Sequence, residues 1–261
     1  MQARKTPSVP ALERGLHILE LIAQSKSGLT FAQIARHVDF PKSSVHCILL
    51  TLEREGYLHR SAGTGRFSCG TKLVQVTQEA LQGTVLGEVR GPLLVDLMQR
   101  TRLTAHMALL EAGVAIIVAK ADHAMLQRIA TWVGKPFALH CTSVGKCLTA
   151  WLPDEELKEL ISARGLQRYN DNTISTMARL RRELEAVRQQ GWAIDDEEEE
   201  IGVRCIGVPV WDAGPRPVAA ISVTGTVAEI PPERIPLLVS ELNQTAKKLS
   251  ENYANGAPRN D

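Results

Sequence analysis

Pro41 is followed by Lys-Ser-Ser-Val-His46, and from Val45 onward the apolar residues Val45, Ile48, Leu49 and Leu52 recur at i, i+3, i+4 and i+7. That spacing predicts a helix with one buried face, and a proline suits its first turn. On the opposite side stand Ser43, Cys47, Leu50 and Arg54, with His46 on the flank and Lys42 in the first turn. Just upstream, Thr30-Phe-Ala-Gln33 has the form of a capping box. It opens a shorter helix carrying Ile34, Ala35 and Val38. A short helix, the tight turn Val38-Asp39-Phe40 and a second helix with a small, polar start make a helix-turn-helix. In that motif the second helix enters the major groove of DNA and its first residues reach base edges. Ser hydroxyls and backbone N–H groups at the same end suit phosphate.

The flanking segments extend this pattern. A first helix is expected from about Val9 to Gln24, with Leu12, Leu16, Leu19 and Ile22/Ala23 as its buried face. After the third helix, Gly56 to Arg60 and Arg66 to Cys69 flank the turn Ser61-Ala-Gly-Thr-Gly65. Two short strands around a Gly-rich turn read as a hairpin. Directly behind a recognition helix such a hairpin is a wing, where His59, Arg60 and Arg66 would meet phosphates or the minor groove. The alternative is a small module that binds protein instead of DNA.

Charge separates the two ends of the chain. The 261 residues carry 30 Lys+Arg and 29 Asp+Glu, a net of +1. Residues 1–70 hold nine bases against five acids, or +4, and residues 71–261 hold 21 against 24, or −3. A length of ~100–200 residues per domain gives two domains, the first basic and the second acidic. Five cysteines, with no CxxC pair, suit a reducing compartment and no disulfide framework. The N-terminus lacks the apolar run of a signal peptide. The longest apolar stretches, such as Val114–Ala119, fall short of the ~20 residues of a membrane span. A cytoplasmic protein with no membrane partner is expected.

Residues 71–102 are helical in pattern, with interruptions near Gly83 and Gly87–Pro92, and suit a linker and dimer spacer. Thr104–Glu111 and Val114–Asp122 alternate around Ala112-Gly113 as a hairpin, and Leu126–Trp132 is a third strand candidate. Helices are expected at about Thr142–Trp151, Pro153–Ala163 and Thr176–Gln190, and strands at Trp192–Asp195, Cys205–Val210 and Val218–Gly225. A last helix is expected from Pro232 to Tyr253. Hairpins flanked by helices make an α+β domain with a mainly antiparallel sheet.

Small hydrogen-bonding groups gather in that domain. Ser222 and Thr224 share one strand face, and Cys205 starts a neighbouring strand. Thr142-Ser143-Val144-Gly145 opens a helix. Such groups, with Leu126, Ile129 and Phe137 as an apolar wall, suit a pocket for a small acid. Each alone also reads as a helix cap, a packed sheet residue or a buried thiol. Asp195 would repel a bound carboxylate unless protonated or offered a hydroxyl, so it either selects hydroxy- or keto-acids or holds a donor such as Arg204. The run Asp195–Glu200 reads as a solvated edge before it reads as a cation site. His140, Cys141, Cys147 and Cys205 lack the spacing of a metal or nucleophilic site. No metal or cofactor is expected, and a cysteine-dependent enzyme acting on a small carboxylic acid is the second functional reading.

These residues resemble the IclR family of bacterial transcriptional regulators. The matching segments are Ala11–Glu20, Gly28-Leu-Thr, Ile34-Ala-Arg36, Pro41–His46, Leu52-Glu53 and Gly56-Tyr57-Leu58. Further on they are Leu139-His140, Gly145-Lys146, Leu184–Arg188, Gly191–Glu197, Gly202–Pro209 and Ala219–Gly225. The chain departs from the family pattern at Cys47, where Arg is frequent, and at Cys141, where Ala is usual. Glu199 stands in place of a common aromatic, and Ile201 where Pro is frequent. The resemblance implies an N-terminal winged helix-turn-helix over 9–72, mainly α with a β-wing. A linker helix, 73–86, joins it to an α+β effector-binding domain, the two together spanning 73–254. It implies a regulator, not an enzyme, that works as a homodimer or dimer of dimers on double-stranded operator DNA under a small organic acid effector. The DNA-contacting candidates are Thr30, Lys42, Ser43, Ser44, His46, Arg54, Arg60 and Arg66. The ligand candidates are Leu126, Ile129, Phe137, Ser143, Val144, Asp195, Cys205, Ser222 and Thr224. Within that set the resemblance independently points to Asp195, Cys205, Ser222, Thr224 and the Ser143-Val144 segment.

Overall fold

The computed structural model describes residues 8–82, 85–123 and 130–254. The chain divides into two compact units, Met1–Gly83 and Thr84–Asp261. In the first, α1 (Pro10–Ala23) is followed by β1 (Leu29–Thr30), α2 (Phe31–His37) and α3 (Lys42–Arg54). Then come β2 (Leu58–Arg60), β3 (Arg66–Cys69) and α4 (Thr71–Gln82). The strands form an antiparallel sheet in the order β1-β3-β2. The capping box is complete: the Gln33 amide donates to Thr30 Oγ1, and Gln33 Oε1 accepts from the Thr30 amide at 2.9 Å. The core joins Ile18, Ile22, Ile34, Val38, Val45, Leu49, Leu58 and Phe67.

The inward face of α1 differs from the expected one. Leu12 and Leu16 are 61% and 51% exposed, whereas Ile18 and Ile22 are buried. The inward row runs through Gly15, Ile18 and Ile22, and a Cβ on Gly15 would sit 3.9 Å from Ile48. A glycine marks this row where α1 approaches α3, so hydropathy alone favours the neighbouring leucine row.

The second unit opens with α5 (Val85–Thr101), then β4 (Thr104–Glu111), β5 (Val114–Ala121) and β6 (Pro136–Phe137). Three helices follow, α6 (Ser143–Thr149), α7 (Asp154–Arg164) and α8 (Met177–Gln190). The chain returns to the sheet as β7 (Ala193–Asp196), β8 (Val203–Trp211) and β9 (Pro217–Thr226), and ends in a 3-10 turn at Pro232–Arg234 and α9 (Ile235–Ala254). The six strands lie in the order β6-β5-β4-β9-β8-β7, all pairs antiparallel. Gly191, with φ +81°, closes α8 as an αL cap.

One local expectation is corrected, and another lies mostly outside the described residues. The helix α5 continues through Gly87 to Pro92 without a break. Beyond the proline it is anchored by Leu94 and Leu97, which are buried in the core shared with α9. The proposed strand Leu126–Trp132 falls largely outside the described residues. Its end at Trp132 is an exposed turn, closed by the Lys135 amide donating to the Trp132 carbonyl at 3.0 Å, and the edge strand is β6 instead.

The pleat sorts the sheet into two faces. Ala105, Met107, Ile206, Val208, Ile221 and Val223 point to one face, under α5 and α9. Ala108, Ala193 and Ala220 point to the other, with Val144 of α6 and Leu180 and Leu184 of α8. The polar residues His106, Asp195, Cys205, Ser222 and Thr224 fall on this second side by the same alternation. Register aligns them: Asp195 lies opposite Cys205, Cys205 opposite Thr224, and Ser222 opposite both Gly207 and His106. At Gly207 a side chain would be tight, because its Cβ would stand 3.1 Å from Ser143, which would have to shift by a few tenths of an ångström. That glycine lets the start of α6 settle onto the sheet beside the polar row.

Candidate nucleic-acid interface and ligand cleft

At the start of α3, Lys42, Ser43 and His46 are exposed. The Lys42 and Ser43 side chains make no hydrogen bond among the described residues. The exposed His46 ring meets Phe31 edge-on at 6.1 Å. Ser44 is half-buried. Arg54, at the far end of α3, pairs with Glu55 at 2.9 Å in full exposure, a pair of negligible strength in water. On the wing, the Arg60 guanidinium lies 5.4 Å from the centre of the Phe67 ring. Thr30 and Arg66 are engaged within the unit. Thr30 caps α2, and Arg66 Nη1 donates to the Gly28 carbonyl at 2.8 Å, tying the wing to the turn before α2. The groups left for a partner therefore concentrate on the first turns of α3 and on Arg60.

The second unit holds a small cleft on the polar side of the sheet. Phe137, Ser143, Val144, Asp195, Cys205, Ser222 and Thr224 all line it. Leu126 and Ile129 lie outside the described residues. His106, Thr131, Lys135 and Glu200 line the cleft as well and were not anticipated as ligand residues, and Glu199, a departure from the family pattern that bears on the pocket rim, lines it too. His106 had a signal in sequence, as the one ionisable residue in the otherwise apolar start of β4. Lys135 carried none, because its place is set by the turn before β6.

His106 is buried, and burial drives its pKa down to about 3, with Lys120 adding to the shift. It is a neutral imidazole at physiological pH. Its Nε2 lies 2.9 Å from Thr131 Oγ1, and its Nδ1 lies 3.4 Å from Thr224 Oγ1, which itself reaches Cys205 Sγ at 3.3 Å. Lys120 Nζ donates to the Thr131 carbonyl at 2.7 Å. The hydroxyl and the carbonyl of Thr131 are thus both engaged at the cleft.

Asp195 is buried, and desolvation raises its pKa to about 7, with the neighbouring Glu198 and Glu199 adding to the rise. It accepts the Glu198 amide at 2.9 Å. Arg204 does not hold it: that guanidinium pairs with Asp196 at 2.6 Å. Nor is the acidic run simply a solvated edge. Glu198 turns inward to Lys146, a fully buried lysine whose Nζ meets Glu198 Oε1 at 2.5 Å, the Ile194 carbonyl at 2.7 Å and Glu183 at 2.9 Å. A buried ammonium without such partners would cost several kcal/mol, on the order of the ion-desolvation penalty. This triad fixes the turn after β7 and, through the Glu198 amide, the orientation of Asp195.

The thiols in and near the cleft are held protonated. Burial pushes the Cys205 thiol far above its ordinary range, with Asp195 pushing the same way, and burial raises Cys141 and Cys147 too. A protonated thiol is a poor attacking group. His140 faces away from that chemistry: its Nε2 meets the Gln167 carbonyl at 2.9 Å, and its ring stacks on Tyr169. Among the described residues no three His, Cys, Asp or Glu side chains are grouped to hold a metal ion. No helix among them is long and apolar enough to cross a membrane.

Comparison with known proteins agrees with both units. Residues 11–62 match the IclR helix-turn-helix domain, and residues 78–251 match the bacterial transcriptional regulator IclR C-terminal domain. The chain is 32% identical to the HTH-type transcriptional regulator BhcR of Paracoccus denitrificans, over 99% of this chain and 91% of that one. It is 29% identical to the transcriptional repressor IclR of Escherichia coli, over 96% and 92%. In fold it is similar to an IclR homologue from Microbacterium hydrocarbonoxydans crystallised with 4-hydroxybenzoate, with a TM-score of 0.81 at 21% identity over 94% and 100% of the two chains. The matched relatives are named regulators and repressors, not enzymes. With an exposed recognition helix on one unit and a polar cleft on the other, the chain belongs to the IclR family of bacterial transcriptional regulators.

Proposed function

We propose that this regulator binds a small organic acid in the cleft of its C-terminal unit and that the bound acid changes its affinity for double-stranded operator DNA. The observation that carries the reading is the cleft itself. Side chains from β6, β7, β8, β9 and α6 converge on one small volume, and the Ser143 and Ser222 hydroxyls there have no hydrogen-bond partner among the described residues. These two hydroxyls open on the cleft and are free to bond the acceptor oxygens of a ligand there. The Microbacterium homologue, crystallised with a hydroxylated aromatic acid, supports the same class.

DNA contacts are assigned to Lys42, Ser43, Ser44 and His46 on α3 and to Arg60 on the wing, with Thr30, Arg54 and Arg66 supporting them. Residues 9–72 form the DNA-binding domain and 73–86 the linker to the effector domain that ends at 254. Val9, Leu12 and Leu16 leave an apolar stripe exposed on α1, which suits a homodimer or dimer of dimers. A cytoplasmic location follows from operator binding. The mechanism is a coupling free energy between two sites. A dimer grips two half-sites only when they are whole helical turns apart, so a ligand that alters the spacing of the two heads alters affinity.

Two experiments test this. A thermal-shift screen against organic acids should find stabilisation growing as RT ln(1 + [L]/Kd). Titration of an upstream promoter fragment should show affinity falling steeply with salt, from counterion release. Binding that is insensitive to salt would favour a protein partner for the head and contradict the reading.

A further inference from the structure

The charge of the cleft says more about the ligand than that it is an acid. Six consecutive acids, Asp195 to Glu200, pass the cleft, and four of them are engaged within the protein. Asp195 accepts the Glu198 amide, Asp196 pairs with Arg204, Glu197 accepts the Gly202 amide at 2.7 Å, and Glu198 pairs with Lys146. The side chains of Glu199 and Glu200 make no hydrogen bond or ion pair among the described residues, Lys135 acting on Glu199 only through its charge, and these two line the cleft. Glu199 is half-buried, and burial raises its pKa while Lys135 opposes the rise. Lys135 is the single cation lining the cleft among the described residues. It is held there by the Ala130 carbonyl at 2.9 Å and by the faces of Phe137 and Trp132, at 4.9 and 5.5 Å.

A plain carboxylate would satisfy Lys135 and the Ser143 and Ser222 hydroxyls, both more than nine-tenths buried. It would leave Glu199 beside a second anion, with nothing to donate to it. Like charges at close range disfavour one another, and an unmatched half-buried carboxylate loses hydration without compensation. A ligand with a donor of its own removes both penalties. Resting on the organic-acid reading above, we propose that the cleft selects acids carrying a hydrogen-bond donor, a hydroxyl or an ammonium, with Lys135 taking the carboxylate and Glu199 the donor.

The test is calorimetric titration of the full-length protein with probes matched in skeleton. One set is propanoate, pyruvate, lactate and alanine. A second is butanoate, 3-hydroxybutanoate and 4-aminobutanoate, and a third is benzoate and 4-hydroxybenzoate. On the skeleton that binds best, the donor-bearing acid is expected to bind about tenfold or more tighter than the plain or keto acid, the usual scale for a hydrogen bond to a charged group. The hydroxyl and amine members then tell which donor is read. Glu199→Gln should collapse that ratio to within about threefold, while Lys135→Met weakens every acid alike. Equal affinity for plain and donor-bearing acids on every skeleton overturns the proposal and leaves the organic-acid reading standing. A Glu199→Gln protein that keeps the full ratio also overturns it. If no acid binds at millimolar concentration, the organic-acid reading falls and this proposal with it.

Discussion

The recognition helix and the cleft use much the same side chains in opposite settings. Lys42, Ser43 and His46 stand in water at the start of α3, whereas His106, Ser143, Lys146 and Ser222 are buried in the second unit. Their partners differ in size and charge. A duplex presents a long polyanionic surface that can neutralise exposed cations and be read across many contacts. A small acid offers a few atoms, so the protein must withdraw its reading groups from water for each bond to count. The consequence is a different coupling to stability. The exposed Lys42 and Ser43 side chains of the head carry no hydrogen bond of its fold among the described residues, whereas the polar groups of the cleft are braced by the same networks that hold the sheet and α6 together.

That contrast is best broken at its strongest point. Lys146→Ala leaves Glu198 and Glu183 without their ammonium and is expected to cost about 3–5 kcal/mol, as for a buried pair with one partner removed, read by denaturant unfolding. An effect below about 1 kcal/mol would show that the triad is not a structural brace. In the head the loss should fall on function alone. Ser43→Ala with His46→Ala should weaken operator binding by roughly a hundredfold, at ~1–3 kcal/mol per lost base contact, while effector-induced thermal shifts remain. Undiminished binding of the promoter fragment would remove α3 from the interface.

A smaller effect lies in pH. Asp195 titrates at about 7 because it is buried beside Glu198 and Glu199, with Lys146 opposing the rise and the Cys205 thiol close by. Above that pH it is charged, so affinity for an anionic acid should fall as pH rises through about 7, approaching tenfold per unit. Asp195→Asn should flatten the profile in calorimetry. Folding stability takes the same sign. A raised acid contributes stability that is complete below its ordinary value near 3.8 and gone above about 7. His106 acts in reverse, costing stability as pH falls from 6.5 towards 3. The smallest expected change is Thr30→Ala, which removes the cap of α2 and should cost about 1 kcal/mol in chemical unfolding. A larger loss would mean that Thr30 does more for the head than cap.

The outcome also shows which physical signals reach the sequence. The capping box, the buried stripe of α3 and the αL glycine after α8 are local, and they were legible as such. Seven residues that line the cleft were legible by different routes: Ser222 and Thr224 by strand alternation, Ser143 and Val144 by a helix start, Phe137 by its apolar side chain, and Asp195 and Cys205 chiefly by family pattern. Lys135 was not, because a turn places it, and Glu199 showed only as a departure from the family pattern. Leu12 and Leu16 misled because the row that faces α3 begins with Gly15, which hydropathy does not mark. The buried pairing of Lys146 with Glu198 spans 52 residues of separation and has no local trace.

The central claim is that the cleft controls the head. Its most direct test is the operator dissociation constant measured with and without a saturating acid, in the parent protein and in a variant carrying Ser222→Ala and Thr224→Val. The account predicts a shift of roughly 5–150-fold in the parent, the usual range of allosteric coupling. It predicts no shift in the variant, with its ligand-free operator affinity unchanged. The same operator affinity in the parent with and without the acid, or an undiminished shift in the variant, would contradict it.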